Sequence, residues 1–335
     1  MEISRRNLLR GAALAVAAPA IIRDVHAAEF EYRCGSNQVI DHPTVLRSNE
    51  ATARILEETG GRLKITVFPS GQLGSDTDML TQVRVGAIDM VLLSPVILAT
   101  LVPVATASGV CFAFPDAEHV WKAVDGELGK VVAAAVAKAG LVCVGKIFDN
   151  GFRVMTTGHK PIRTPADLAG VKMRVPPSPL LLSAFKALGA APSTVNWSEL
   201  YSALQTKVVD GQENSLSLIE MSRLYEVQKY VSVTNHMWDG HWPLHNGKSF
   251  KALPEGFREI VHKNFAKAAD DERADLAKLT ETATDVLKKK GMEFTQPDTA
   301  AFRDVLRKAN WYGEWKEKLG PQAWAALEQV TGPLA

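Results

Sequence analysis

The residue with the most chemical consequence in this sequence is an arginine in an apolar strand. In "GVKMRVPPSP" (Gly170 to Pro179), Arg174 sits among aliphatic neighbours immediately before a proline-rich stop. A buried guanidinium without a partner is heavily penalised, so something anionic is expected beside it. Two sources fit. One is internal: Asp167, in the preceding segment, or the more remote Asp149. The other is a ligand carboxylate, held by the planar fork of donors that arginine supplies. Ser178 and Pro179 open the helix "LLLSAFKALGA", so Arg174 precedes a helix N-terminus whose free amides also favour anions, and this placement tilts the reading toward a ligand.

Other chemistry-bearing residues carry weaker signals. His236, His241 and His245 in "HMWDGHWPLH" invite a metal site, but their spacing does not match one helical face and no H-E-x-x-H accompanies them. Trp238 and Trp242 in the same segment could face a cleft or fill a core. Asp210 and Glu213 are close in sequence, an arrangement common on turns. No G-x-S-x-G elbow, phosphate-binding G-x-x-x-x-G-K-[ST] loop or G-x-G-x-x-G motif after a strand is present. Cys34, Cys111 and Cys143 form no C-x-x-C pair, and buried free thiols are the expectation.

The elements that must position these residues are legible from periodicity and punctuation. "EFEYRCGSNQ" alternates and ends in polar residues, as a first strand should. "HPTVLRSNEATARILEETGG" has proline at its start and Gly60-Gly61 at its end, as a helix does. "RLKITVF" is a second strand, "SDTDMLTQVRVGA" a second helix with Ser75 and Asp78 spaced as a capping box, and "IDMVLLSP" a third strand. This β-α-β-α-β order predicts a mostly parallel sheet with ligands beyond the carboxyl ends of its strands. The pattern recurs in "GLVCVGKIFDNGFRVMTT", read as paired strands, in the Thr164-capped "TPADLAG", and in the strand around Arg174. Asn196 to Glu199 is spaced as another capping box. Phe257 to Gly291 has no internal glycine or proline and predicts a helix of about 50 Å, long enough to cross two lobes.

The N-terminus reads as an export signal. "SRRNLLR" and the apolar "GAALAVAAPAII" precede "VHAAE", with cleavage expected after Ala27, and the paired Arg5-Arg6 resembles a twin-arginine leader. The apolar run is too short to span a bilayer. Loss of residues 1–27 takes the chain from 38 basic and 37 acidic residues to 34 and 35. Without a basic surplus, nucleic-acid binding is not expected.

The motifs "GQLGSDTDMLTQVRVGAIDM", "GFRVMTT", "TPADLAGVKMRVP" and "SELYSALQTKVVDGQEN" together resemble the DctP-type solute-binding proteins of tripartite ATP-independent periplasmic (TRAP) transporters, over essentially the whole mature chain. The resemblance implies an α/β, two-lobe periplasmic binding protein with a hinge and a long helix spanning both lobes. It implies capture of a small organic acid (sugar acid, aromatic acid, keto acid or dicarboxylate) for TRAP membrane permease subunits, with no cofactor and no catalysis. It places the carboxylate-gripping arginine on Arg174, a second ligand-contacting arginine on Arg153, and the asparagine after "D-G-Q-E" on Asn214. Trp197, Asn37 and Ser94 follow by position, and Trp238 joins them if the later crossing faces the cleft. Each has a bland reading: Arg153 as a hinge salt bridge to Asp149, Asn214 as a turn residue, Trp197 as packing.

The expected first lobe is residues 28–150 plus about 239–275, and the second 151–238 plus about 276–335, with a hinge near residues 150 and 238. An exported hydrolase or lyase, or a binder serving a signalling receptor or another transporter class, is the alternative.

Overall fold

The computed structural model describes residues 27–334. The export leader, with Arg5 and Arg6, therefore lies outside the described residues apart from Ala27. Among those described, no helix is long and apolar enough to cross a membrane.

Among the described residues the strands are β1 (Phe30–Ser36), β2 (Leu63–Phe68), β3 (Met90–Leu93), β4 (Leu141–Cys143), β5 (Phe148–Thr157), β6 (Arg174–Val175), β7 (Ser193–Thr194), β8 (Gly211–Ser215), β9 (Tyr230–Asn246) and β10 (Glu293–Thr295). The main sheet runs β2-β1-β3-β9-β5-β8, with β4 and β10 also paired to β9. The β1-β2 and β1-β3 pairs are parallel, as the alternation of strands and helices predicts. The β3-β9, β4-β9, β5-β9 and β5-β8 pairs are antiparallel, and β10 joins β9 in parallel. β4 and β5 do not pair with each other, as the sequence reading had them. Both pair with β9, which is long enough to accept several partners along its 17 residues.

β9 joins two regions of the sheet. Its C-terminal residues carry β3 and β4, and its first residues carry β10 and the end of β5. The β5-β9 ladder breaks register between Asp149 and Gly151 and again between Arg153 and Met155, which bends and twists the ribbon where the two regions meet.

Helix ends follow local chemistry. Ser75 and Asp78 make the anticipated reciprocal cap on the helix Asp76–Val85, Thr164 and Asp167 cap the short turn Pro165–Leu168, and Ser178 accepts from Leu181 N at the helix Pro179–Ala187. The box at Asn196 does not form. Asn196 begins the helix Trp197–Gln205 but makes no side-chain cap, and its Oδ1 accepts from Thr77 Oγ across the cleft.

The 35-residue helix Glu255–Lys289 is about 50 Å long at 1.5 Å per residue. Near its start, Val261, Phe265, Ala268 and Ala269 are buried with Tyr32, Ile65, Met90 and Leu92. Near its end, Leu287 is buried with Val154, Leu200, Ile219 and Val231. One helix thus enters two separate cores, the arrangement of a two-lobe protein braced across its hinge. Gly145, at φ +65°, lies against the backbone of Phe265 and Ala266, where only glycine leaves room for the β4-β5 turn. The last helix, Pro321–Thr331, packs on Ala117–Val124 and Glu127–Lys138, whereas the preceding helix, Trp311–Leu319, packs on Pro179–Ala187, where Trp311 and Trp315 both donate to Ser183 Oγ. Cys34, Cys111 and Cys143 are free thiols, the first two buried.

Candidate functional site

Arg174 is fully interior, 2% exposed, on the two-residue strand β6, which pairs in parallel with β7. Pro176 and Pro177 stop that strand before Ser178 starts the next helix. Its Nε donates to Val195 O at 2.8 Å, and it makes no ion pair among the described residues. Neither internal acid serves it. Asp167 accepts the amides of Arg163 and Thr164, and Asp149 accepts Trp238 Nε1 and Gly151 N. Burial pulls the Arg174 guanidinium down to about 10, with Glu213 opposing and Arg153 reinforcing the shift. Among the described residues the remaining donors of the fork have no protein acceptor within hydrogen-bond distance.

Arg153 is the opposite case. All five of its N–H groups are used: Nε donates to Glu213 Oε2 (2.5 Å), Nη2 to Glu213 Oε1 (2.7 Å) and Glu213 O (2.8 Å), and Nη1 to Asp239 Oδ2 (2.9 Å) and Asn214 Oδ1 (3.1 Å). The sheet register explains this closeness, since Arg153 lies opposite Ser215 of β8 and Met237 of β9, beside Glu213, Asn214 and Asp239. Its partners differ from the hinge bridge to Asp149 considered from sequence. Burial pushes the Glu213 carboxyl up, but Arg153 and His236 outweigh it and hold the group at about 2. Asn214 Oδ1 also accepts Ser215 N, which fixes the amide and leaves Nδ2 as its free donor.

Arg174, Arg153, Asn214, Asn37, Ser94 and Trp197 line one inner chamber of about 30 Å³. It opens beside a groove of about 420 Å³, with Asn37, Asp76 and Trp197 common to both. The wall from the first strands is contributed by the end of β1 (Asn37, Gln38), the end of β3 (Ser94) and the start of a helix (Asp76), which is where ligands sit in open α/β sheets. Ser94 Oγ donates to Asp239 Oδ1 at 2.7 Å and accepts Val96 N. Trp197 is half-buried at the first position of its helix.

Trp238 departs from expectation. It is 1% exposed, donates Nε1 to Asp149 Oδ1 at 2.7 Å and stacks edge-on against Trp121, so its ring belongs to the core rather than the chamber. Trp242 is likewise core. β9 alternates its side chains, so Asp239 and His241, which lie between Trp238 and Trp242, face the chamber instead, and the extra residue that the β5 bulge accommodates, Asn150, lines it too.

Sequence reasoning missed Asp76, Gln38, Asn150, Asp239 and His241 as wall residues. In the sequence Asp76 reads only as part of a capped helix start, His241 only as one of three histidines weighed for a metal, and Asp239 only as a spacer between Trp238 and Gly240. Burial pushes the Asp76 carboxyl up to about 6, against Asn37 and Arg174, which favour its charge. Burial holds His241 down at about 4. The three histidines of the run point to different partners: His236 to Glu213 and Thr234, His241 to Gln38, and His245 to Asn246 O. Among the described residues no cluster of three or more His, Cys, Asp or Glu is placed to hold a metal.

A buried arginine with free donors, beside a second arginine whose donors are all committed to Glu213, Asp239 and Asn214 and between two braced lobes, is the geometry of a site that receives an anion. Residues 38–314 match the family described as bacterial extracellular solute-binding protein, family 7, the DctP family. The chain belongs to that family. The 2,3-diketo-L-gulonate-binding periplasmic protein YiaO of Escherichia coli is 34% identical over 75% of this chain and 76% of its own length. The C4-dicarboxylate-binding periplasmic protein DctP of Rhodobacter capsulatus is 32% identical over 82% of each. A TRAP periplasmic solute-binding protein from Roseobacter denitrificans, solved with bound β-D-glucuronate, superposes with a TM-score of 0.86 at 29% identity, covering 90% of this chain and 99% of that one. This DctP-family chain is therefore a periplasmic solute-binding protein of the TRAP type, a binder rather than an enzyme.

Proposed function

We propose that this protein captures a carboxylate-bearing organic acid by closing its lobes over Arg174, and delivers it to TRAP membrane permease subunits. The observation that carries this reading is the interior guanidinium of Arg174, bonded to protein through Nε alone. Asn214 Nδ2 supplies a second donor to the carboxylate. Arg153, with its donors committed, acts as a positioning residue that orients Asn214 and Asp239. Trp197 covers the ligand at the cleft mouth, and Asn37 forms part of the opposite wall. The reading is supported by the acids bound by relatives, among them diketogulonate, C4-dicarboxylates and glucuronate.

A chamber of about 30 Å³ holds about two waters, so an acid of several carbons enters by separation of the walls. The lobe division proposed from sequence, with a hinge near residues 150 and 238, is supported by the two register breaks in the β5-β9 ribbon. The C-terminal helices touch both sides of that division. Export by the twin-arginine route belongs to the same proposal and rests on Arg5-Arg6 ahead of the apolar run.

Isothermal titration of the mature protein against organic acids tests the site. Each charge-assisted hydrogen bond contributes about 1.5–3 kcal/mol, so Arg174→Ala is expected to weaken the best ligand by at least about 100-fold. Affinity within a few-fold of the parent overturns the assignment. For the export route, the full-length precursor with Arg5→Lys and Arg6→Lys is expected to accumulate unprocessed, and normal processing refutes it.

A further inference from the structure

The polar groups of the inner chamber are unevenly divided between cations and acceptors. Asn150 Nδ2 donates to Asp239 Oδ2 at 3.3 Å, and Asn37 Nδ2 donates to Asp76 Oδ2 at 2.9 Å. Ionised carboxylate oxygens only accept, so both amides are fixed in orientation. That leaves Asn150 Oδ1 and Asn37 Oδ1 as buried acceptors with no partner in the protein. Gln38 and His241, 1% and 2% exposed, meet through their Nε2 atoms at 2.9 Å, and Gln38 Oε1 and His241 Nδ1 are unpartnered. With the imidazole neutral, either tautomer and the matching turn of the amide offer one donor and one acceptor, the complement of a hydroxyl group. All four residues line the same chamber.

Charge points the same way. Arg153 is matched by Glu213 and Asp239, which leaves Arg174 as the one guanidinium in the wall without a carboxylate on it among the described residues. Asp76 and Asp239 stand in the same wall. One carboxylate from a ligand is satisfied by Arg174. A second would be buried beside two aspartates with no cation to receive it, which is strongly unfavourable. Once a ligand displaces water from the chamber, the unpaired acceptors are satisfied only if that ligand brings donors of its own, and hydroxyls are the donors an organic acid most readily carries.

We propose that the chamber selects a polyhydroxylated monocarboxylate over a dicarboxylate, with Asn37, Asn150 and the Gln38-His241 pair reading hydroxyls and Asp76 rejecting a second carboxylate. The proposal rests on the reading that Arg174 holds the ligand carboxylate. It assigns to Asp76 a specificity role distinct from its place at the start of the helix Asp76–Val85.

Chain length and functional groups can be separated with two matched series: D-erythronate, succinate and butyrate at four carbons, and D-gluconate, adipate and hexanoate at six. Titration calorimetry of the mature protein after denaturing and refolding, to strip any ligand carried from expression, is expected to show the hydroxy acid of at least one series binding at least about 100-fold tighter than its dicarboxylate and unsubstituted partners, since a site built to bond hydroxyls strongly rejects analogues lacking them. Asp76→Asn, nearly isosteric, is expected to narrow the gap between hydroxy acid and dicarboxylate by at least about 10-fold. Asn150→Ala is expected to weaken the hydroxy acid while leaving the unsubstituted acid unchanged, and unchanged thermal unfolding of both variants confirms folding. A dicarboxylate that binds as tightly as its hydroxy partner, an unchanged gap in Asp76→Asn, or no binding by either hydroxy acid overturns the proposal. Arg174→Ala separates the two readings. If it abolishes binding while adipate or succinate is the preferred ligand of the parent, only the selectivity proposal fails. If it binds as the parent does, the carboxylate assignment itself fails.

Discussion

Replacing Arg174 with methionine is expected to stabilise the ligand-free protein while destroying its function. The side chain is 2% exposed, makes one hydrogen bond to Val195 O and carries its charge without an ion pair. Its guanidinium is pulled from 12.5 down to about 10, chiefly by burial, which corresponds to roughly 3 kcal/mol of unfavourable charge burial at about 1.4 kcal/mol per tenfold change in acidity. Methionine keeps the apolar stem and fills irregular space, at the loss of one hydrogen bond to a carbonyl worth about 1 kcal/mol. The balance is a gain of about 1–2 kcal/mol in unfolding free energy. Urea denaturation of the mature, ligand-stripped protein measures it, with the slope against denaturant unchanged so that the midpoint alone reports stability. With a saturating ligand the order should reverse, because the parent gains from binding and the variant does not. A variant less stable than the parent by 1 kcal/mol or more would refute the reasoning, because it would mean the charge is satisfied within the folded chain. The expected trade of stability for binding is the usual one at sites built to receive a charge.

The neighbouring arginine should behave in the opposite sense. Arg153→Met strands the Glu213 and Asp239 carboxylates and is expected to cost about 3–5 kcal/mol by the same urea assay, and a loss below 1 kcal/mol would contradict a tightly coupled cluster. Burial raises the Asp149 carboxyl to about 6 from 3.8, so the folded protein holds a proton that the unfolded chain releases between those values. Stability from this group is therefore fully present below about pH 4 and lost as pH rises through about 6, and the parent should lose about 3 kcal/mol relative to Asp149→Asn across that window, measured as the difference between their unfolding curves. A parallel response of the two proteins would show that Asp149 is not the titrating group. Gly145→Ala brings a Cβ within 2.5 Å of Ala266 N and 2.6 Å of the Phe265 carbonyl carbon at a φ of +65°, and a loss of at least about 2 kcal/mol in thermal or urea unfolding is expected, whereas a neutral result would mean that the turn can move off the long helix.

The sequence by itself determined the local features. Ser75 with Asp78, Thr164 with Asp167 and Ser178 with its helix were readable because a cap is decided within four residues. The long helix was readable because an uninterrupted stretch free of glycine and proline specifies its own geometry, and the structure extends it only from Glu255 to Lys289. Arg174 was conspicuous because a cation in an apolar strand conflicts with burial at any tertiary position. Asn196 shows the limit even of local signals, since its oxygen turned from its own helix to a threonine across the cleft.

What the tertiary structure decided is which of these residues meet. β9 passes through both regions of the sheet, and β5 breaks register beside it, so Arg153 finds Glu213 and Asp239 rather than Asp149. Alternation along β9 sends Trp238 to the core and Asp239 and His241 to the chamber, a choice of faces fixed by how β9 pairs with its neighbours. Asn37, Asp76, Asn150 and Asn214 come from four distant points in the chain and converge only when antiparallel pairing folds the sheet back on itself. Pairing of that kind depends on long-range register and on how much apolar surface each alternative buries, quantities that no window of neighbouring residues contains. The arginine proposed to receive the anion could therefore be singled out from its own strand, whereas the acceptors proposed to choose among anions became visible only in the assembled wall.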